Sequence, residues 1–176
     1  MNEIDAIIQW VTALVADYLY AGVFLASLIE TVFPPIPTLA IFPLAGYVAS
    51  QNNFQLFQTI MLGISGGAGA SIGSLVFYFA ARKLGRIALL KYLKHARISE
   101  EKLEKVENWF AKHGDKAVFF GRLLPLLREI ISIPAGLLKM NISKFLLYTF
   151  LGSCVYSIGL ILAGYYFGKA AVEFFQ

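Results

Sequence analysis

The chain has 176 residues, of which 58% are hydrophobic and only 15% are charged, and its mean hydropathy is +0.67. These values exclude a disordered chain and are far from those of an ordinary soluble domain. The charges are also uneven, because residues 1–81 contain no Lys or Arg and the 51 residues from Thr31 to Ala81 carry no formal charge. Since one bilayer crossing needs about 20 apolar residues, we predict a polytopic membrane protein.

The first half of the chain begins with an apolar segment and continues into a proline-rich one. Residues 6–23 are predicted to form an N-terminal helix that either spans the membrane or lies at its interface. Residues 24–50 contain Pro34, Pro35, Pro37 and Pro43. Proline removes a backbone donor and clashes with the preceding turn, and irregular backbone at membrane depth must pack in protein or line a wet cavity. We therefore predict a first re-entrant hairpin over 24–50.

Residues 56–81 are predicted to form a transmembrane helix. Small residues recur in this segment at a spacing of four, and Gly69 and Gly73 form one such pair. Rows of small residues let helix backbones approach closely in lipid. We interpret them as a helix-packing surface, and a flexible wall along a substrate path is the alternative.

A basic connection follows at residues 82–116, where ten Lys and Arg stand against five acidic residues. Lys and Arg are enriched in cytoplasmic connections of membrane proteins, so this one is predicted to be cytoplasmic. For the same reason the basic excess indicates topology and not binding to nucleic acid. Residues 99–113 within it have the pattern of an amphipathic helix, which we expect to lie on the cytoplasmic surface of the membrane.

The second half repeats the order of the first. Residues 117–139 contain Pro125 and Pro134 and are predicted to form a second re-entrant hairpin, and residues 145–168 form an uncharged crossing. The hairpins end on similar sequences, Pro-Leu-Ala-Gly46 and Pro-Ala-Gly136. Because the two crossings leave and enter the membrane on the same side, the two units have opposite orientations. Broken helices at matching places in inverted repeats indicate a transport site near the middle of the bilayer.

The predicted fold is therefore a single all-α polytopic membrane domain over residues 1–176. It is an inverted repeat of two proline-broken re-entrant hairpins, each followed by a transmembrane helix, with a cytoplasmic interfacial amphipathic helix between the two units.

Four ionisable residues lie in an apolar context: Glu30, Arg122, Arg128 and Glu129. Charged groups in a membrane are costly, and they usually face a cavity or one another. Pro125 interrupts the helix midway between the two arginines, so both can point into one cavity, and guanidinium groups suit phosphate or carboxylate ligands. Glu30 and Glu129 are candidate counter-ions or proton carriers. The alternative is a buried ion pair that only joins the hairpins.

The sequence gives little support for an enzyme. It contains no acid paired with a suitably placed His, no Gly-flanked Ser nucleophile and no phosphate-binding glycine loop after a strand. The two histidines and the single Cys154 do not form a cluster of metal ligands. We therefore predict a non-enzymatic protein with no metal and no cofactor.

Three motifs resemble those of the DedA family, which is also called the SNARE-associated or VTT-domain family. They are Glu30-x-x-x-Pro34-Pro-Ile-Pro37, Tyr78-x-x-x-Arg82-x-x-Gly85 and Phe119-x-x-Arg122-x-x-Pro125-x-x-Arg128. The resemblance extends from about residue 15 to residue 168. It implies an inner-membrane protein with two facing re-entrant hairpins that moves lipids between leaflets, in some members dependent on the proton-motive force. By position, Glu30, Arg122 and Arg128 match the family's essential charged residues.

The chain also departs from the family pattern at two places. It has Thr38 and Leu39 where many members have Ser or Gly and then an acidic residue, and Glu129 where Ser or Thr is common. These departures leave open whether transport is coupled to protons and which lipid is moved.

Our first hypothesis is a flippase or scramblase in the cell membrane that moves a phosphate-headgroup lipid, such as undecaprenyl phosphate or phosphatidylethanolamine. The first alternative is a proton-coupled transporter of a small ion or solute, and the second is an assembly factor without transport activity. The expected partners are membrane lipids, with protons as an open case and no nucleic acid. The oligomeric state, including a homo-oligomer, is left open.

Overall fold

The computed structural model describes the backbone of residues 3–32, 38–95, 100–125, 127–128 and 130–175. Its side chains are described over residues 18–32, 41–85, 101, 104–125, 127–128 and 130–167. Within these ranges the chain forms helices and no strand. The helices are α1 (Glu3–Val32), α2 (Thr38–Gln51), α3 (Leu56–His95), α4 (Glu100–His113), α5 (Lys116–Leu123), α6 (Ser132–Leu137) and α7 (Ile142–Phe175).

Two helices contain stretches that are long and apolar enough to cross a bilayer, Leu56–Gly85 in α3 and Ile142–Phe167 in α7. Each also presents large apolar side chains to the outside. Leu147, Leu151 and Val155 are exposed at intervals of four residues along α7. An apolar stripe of this kind is unfavourable in water and suits contact with lipid chains. The described residues therefore form an all-α membrane protein, as predicted.

The helix α7 runs antiparallel to α3. Gly63 of α3 packs against Ile158 of α7, and four residues further along α3 Gly67 packs against Cys154. The hydroxyl of Ser157 donates a hydrogen bond to the carbonyl oxygen of Gly63 at 2.6 Å, across this contact. Small residues at these positions allow the two backbones to approach closely. The opposite directions of α3 and α7 agree with the predicted inverted repeat.

The short helix of each half packs against the long helix of the other half. Here the first half means α1–α3 and the second half means α5–α7. Gly46 of α2 lies against the backbone of Ile161 in α7, and Gly136 of α6 lies against the backbone of Tyr78 in α3. A Cβ on either glycine would overlap these backbone atoms. The glycines that end the two similar hairpin sequences therefore occupy corresponding contacts.

Two tyrosines add hydrogen bonds to this packing of each short helix on the other half. The hydroxyl of Tyr165 in α7 donates to the carbonyl oxygen of Phe54, which follows α2, at 2.7 Å. The hydroxyl of Tyr78 in α3 donates to the carbonyl oxygen of Met140, which follows α6. The turn after each short helix is thus attached to the long helix of the other half.

The helix α4 covers the predicted amphipathic segment, and its apolar face packs in a core cluster. Val106 and Phe110 are 2% and 5% exposed and belong to a core cluster that also contains Ala117 and Ile131. Glu101 and Lys105 lie on the exposed side and form an ion pair at 2.6 Å. The position of α4 on the cytoplasmic surface of the membrane stays a prediction.

Several predicted boundaries differ from the structure. The helix α1 continues from the N-terminal segment into the expected first hairpin as far as Val32, with a kink at Tyr18 and Leu19. The helix α3 extends past residue 81 to His95, with a kink at Gly85, where the positive φ of 71° suits glycine. The re-entrant placement of the two hairpins in the membrane stays a prediction.

Two of the prolines expected to break the hairpins lie inside helices. Pro43 lies in α2, and its carbonyl oxygen packs against Gly164 of α7, where the missing Cβ leaves room. Pro134 lies in the first turn of α6, where a backbone N–H would have no intrahelical partner and its loss costs little. Pro125 lies in the connection between α5 and α6. Pro34, Pro35 and Pro37 lie outside the described residues.

We expect Gly46→Ala to destabilise the protein and Gly159→Ala to stabilise it. The Cβ of alanine at position 46 overlaps the backbone of Ile161, and such overpacking costs roughly 1–3 kcal/mol. At position 159 no atom lies within 4 Å of the added Cβ, so alanine adds helix propensity of about 0.5–1 kcal/mol. Thermal unfolding in detergent measures both changes. Equal shifts for the two variants would contradict the close contact between α2 and α7.

Candidate functional site

The centre of the described structure contains an ion pair between the two halves. Glu30 lies near the end of α1, and Arg128 lies in the connection between α5 and α6. The distance between Arg128 Nη2 and Glu30 Oε2 is 3.7 Å, and the two side chains are 7% and 4% exposed. A close charge-assisted hydrogen bond measures about 2.7–2.9 Å. The pair is therefore a buried charge contact between the two halves, longer than a close charge-assisted hydrogen bond.

Aromatic rings from both halves surround the same guanidinium. Its central carbon lies 4.6 Å from the centre of the Tyr156 ring in α7 and 6.0 Å from the centre of the Phe42 ring in α2. Cation–π contacts of this kind compensate part of the lost hydration of a buried cation. Arg128 is thus positioned by a carboxylate on one helix and by rings on two others.

The second predicted arginine is still more buried. Arg122 is 1% exposed, and its Nη2 donates a hydrogen bond to the hydroxyl of Ser132 at 2.7 Å. Its Cβ packs against Gly152 of α7, where a Cβ would lie 2.7 Å away. The hydrogen bond joins the end of α5 to the start of α6, so Arg122 spans the connection that carries Arg128.

Both arginines lie along one face of α7. Arg122 contacts Gly152, and Arg128 contacts Tyr156, which is four positions further along the helix. Residues four apart share a helix face and are separated by about 6 Å along the axis. The structure therefore places Arg122 and the Glu30–Arg128 pair against the same face of α7.

The remaining predicted site residues have other positions. Gly69 and Gly73 face α1, where Gly69 packs against Phe24 and Gly73 against Leu28 and Thr31. Glu129, the expected counter-ion or proton carrier, lies outside the described residues.

Phe42, Ser132 and Tyr156 were not predicted as site residues from the sequence. None of them belongs to a recognisable motif, and an aromatic or hydroxyl residue in an apolar helix is normally read as packing. The one sequence signal is that Tyr156 follows Gly152 by four positions on α7. This spacing becomes informative only when it is known that the two arginines contact these positions.

A second polar contact lies in α3 just before its kink at Gly85. Arg82 donates through Nη1 to the hydroxyl of Tyr78 at 2.6 Å and to the carbonyl oxygen of Met140 at 3.3 Å. Tyr78 is fully buried, and its ring stacks on that of Phe145 at 4.5 Å between centres. This part of the Tyr78–Arg82 motif therefore fixes the end of the second hairpin on α3.

Comparison with known proteins gives a family match over most of the chain. The model of the VTT domain matches residues 36–166. An alkaline phosphatase-like protein of Lactococcus lactis is 36% identical over 150 residues, which cover 82% of this chain and 69% of the relative. Undecaprenyl phosphate transporter A of Bacillus subtilis is 33% identical over 166 residues, covering 94% and 78%, and that of Staphylococcus aureus is 30% identical over 160 residues, covering 89% and 77%. No solved structure shows significant similarity.

We expect Arg128→Gln to lower the free energy of unfolding by roughly 3–5 kcal/mol, because it leaves the carboxylate of Glu30 buried without its cation. The double variant Glu30→Gln/Arg128→Gln removes both charges and should recover more than half of that loss. Denaturant titration in detergent micelles measures Arg128→Gln, Glu30→Gln and the double variant. Purely additive effects of the two substitutions would show that the buried charges are not coupled.

Proposed function

Because the chain belongs to the VTT-domain family, the DedA family of membrane proteins, we propose that it moves a lipid with a phosphate headgroup between the leaflets of the membrane. Undecaprenyl phosphate is the first candidate substrate, since two relatives carry the name of its transporter. Phosphatidylethanolamine is the second candidate from the sequence analysis.

The observation that carries the proposal is the pair of buried guanidinium groups along one face of α7. Arg122 and Arg128 are 1% and 6% exposed. Guanidinium groups bind phosphate oxygens through two parallel hydrogen bonds and lose less hydration free energy on burial than an ammonium group. Ionisable residues inside a membrane bundle are costly and are generally functional. The headgroup phosphate would bind between these two side chains.

The lipid tail needs a different surface. The outer faces of α3 and α7 carry exposed apolar side chains, among them Ile72, Val76 and Phe79 on α3 and Leu151 and Val155 on α7. A polyprenyl or acyl chain would stay in the bilayer beside these faces while the headgroup enters the bundle. Only the charged end of the lipid then needs a polar path.

Glu30 occupies the place on Arg128 that the lipid phosphate would take. In our proposal Glu30 engages Arg128 when no lipid is bound, and the phosphate replaces it when the headgroup enters. A phosphate offers the guanidinium two parallel hydrogen bonds, which would offset the loss of the contact with Glu30. Glu30 would then be the residue that exchanges a proton. Coupling to protons would follow from this step.

Leaflet exchange of labelled lipids in proteoliposomes tests the function. We expect the native protein to exchange fluorescent polyprenyl phosphate, and Arg122→Ala or Arg128→Ala to slow the exchange about 10–100-fold, since a hydrogen bond to a charged group contributes about 1.5–3 kcal/mol. Lys116→Ala on the exposed surface of α5 is the matched control and should leave exchange unchanged. Arg128→Lys should retain part of the activity, because charge is kept and the planar fork is lost.

Three results of the same experiment would count against lipid transport. Flux of a small anion without lipid exchange would indicate a solute transporter, and release of inorganic phosphate from the labelled lipid would indicate a hydrolase. No flux of either kind by folded native protein, with and without a pH gradient, would leave an assembly role. Elution from a size-exclusion column and thermal unfolding establish that each variant is folded.

The topology gives a separate prediction. In a Cys154→Ser background, Lys112→Cys in α4 should react with a membrane-impermeant maleimide only from the cytoplasmic side, because the basic connection 82–116 is retained there. Asn52→Cys, in the turn before α3, lies at the other end of that helix and should react only from the outside. Labelling of both positions from the same side would contradict a crossing by α3.

A further inference from the structure

Two buried hydroxyl groups near the arginines have no hydrogen-bond partner among the described residues. They are Ser27 Oγ in α1 and Thr149 Oγ1 in α7, and both residues are 0% exposed. Leaving a buried hydroxyl without a hydrogen bond costs about 1–3 kcal/mol, and such groups call for an explanation. Hydroxyls in this state are positioned to donate to something that enters the site.

Other buried hydroxyls in α1 and α3 do find partners. Thr31 donates to the carbonyl oxygen of Ser27 at 2.8 Å, Ser71 to Gly67 at 2.7 Å and Ser74 to Ser71 at 2.7 Å. Ser and Thr in helices commonly bond back to a carbonyl of the preceding turn. Ser27 and Thr149 do not use this solution, so their hydroxyls are directed elsewhere.

Ser27 lies on the side of α1 that carries Glu30. The two residues are three positions apart, which places them on the same helix face with a rise of about 4.5 Å. Val23 and Ala26 share this face and pack in one core cluster with Phe42, whose ring also contacts Arg128. The hydroxyl of Ser27 is therefore about one helical turn from the Glu30–Arg128 pair.

Thr149 lies on the face of α7 that both arginines contact. Along this face come Phe145, which stacks on Tyr78, then Thr149, then Gly152 beside Arg122, and then Tyr156 beside Arg128. Thr149 precedes Gly152 by three positions, again about 4.5 Å along the axis. Its hydroxyl is thus about one turn from the contact with Arg122.

We propose that Ser27 and Thr149 donate hydrogen bonds to the oxygens of the bound phosphate and complete the site formed by Arg122 and Arg128. This inference rests on the proposed function and names two further residues of the same site. A phosphomonoester has three unesterified oxygens and a phosphodiester has two. Two guanidinium groups with two additional hydroxyl donors therefore suit a terminal phosphate better than the phosphodiester of phosphatidylethanolamine.

Binding measurements on isosteric variants test the inference. Thr149→Val and Ser27→Ala each remove one hydroxyl and should raise the Kd for undecaprenyl phosphate about 10-fold. Neither should lower the Tm of the lipid-free protein, because each removes a buried polar group that has no partner in the described chain. This combination of weaker binding with unchanged or higher stability is not expected from damage to packing.

The matched controls are Thr59→Val and Ser74→Ala. Both residues are fully buried, but their hydroxyls donate to backbone carbonyl oxygens of the preceding turn, at 3.2 Å to Gln55 and at 2.7 Å to Ser71. Removing these hydroxyls should lower the Tm and leave the Kd within about twofold of the native value, because independent sites do not couple.

The choice of ligands separates the outcomes. Undecaprenyl phosphate, undecaprenol, phosphatidylethanolamine and inorganic phosphate are titrated against each protein. If the native protein binds undecaprenyl phosphate through the arginines and the two hydroxyl variants bind it equally well, the hydroxyls hold only water and the inference fails while the function stands. Binding of inorganic phosphate but not of undecaprenyl phosphate, with the same dependence on Ser27 and Thr149, supports the hydroxyl assignment and contradicts lipid transport. Binding of neither phosphate ligand by native protein overturns both.

Discussion

The contact between Glu30 and Arg128 is the interaction on which the arrangement of the two halves depends. A carboxylate and a guanidinium are both buried in an apolar bundle, where either charge alone would cost several kcal/mol. One is supplied by the first half and the other by the second, so the halves must meet at this point. Phe42 and Tyr156, again one from each half, add their rings to the same guanidinium. The residues of the candidate site are thus also residues that join the two halves of the bundle.

The contact is surrounded by helices of both halves, because the short helix of each half packs on the long helix of the other. Because α2 packs on α7 and α6 packs on α3, the connection that carries Arg128 is bordered by helices of both halves. Glycines at positions 46, 136 and 164 allow backbone-to-backbone contact at these places. The resulting interior contains buried hydroxyls and two arginines, while the outside of α3 and α7 is apolar. A bundle of this kind can admit a charged headgroup and leave its tail in lipid.

Composition and periodicity were sufficient to predict the all-α fold, the two long apolar helices and the burial of the two arginines. These features depend on properties that lie within one segment, such as a run without charge or an arginine in an apolar stretch. Phe42, Ser132, Tyr156 and the two hydroxyls could not be predicted in this way, because their roles depend on contacts between segments far apart in sequence. Pro43 was misjudged for a related reason, since the glycine of α7 that accommodates it lies in the other half.

The exchange between halves also has a consequence for biosynthesis. The hydrogen bond from Ser157 to Gly63 joins positions 94 residues apart, and that from Tyr165 to Phe54 joins positions 111 apart. At a synthesis rate of about 5–20 residues per second, the helices of the first half wait roughly 5–20 s in the membrane before their partners emerge from the ribosome. During that time the glycine-lined contact faces of α2 and α3 must be covered by lipid or by the insertion machinery. Insertion of the first half and assembly of the bundle are therefore separate steps, and a chaperone or insertase that retains α1–α3 until α7 arrives would favour correct assembly.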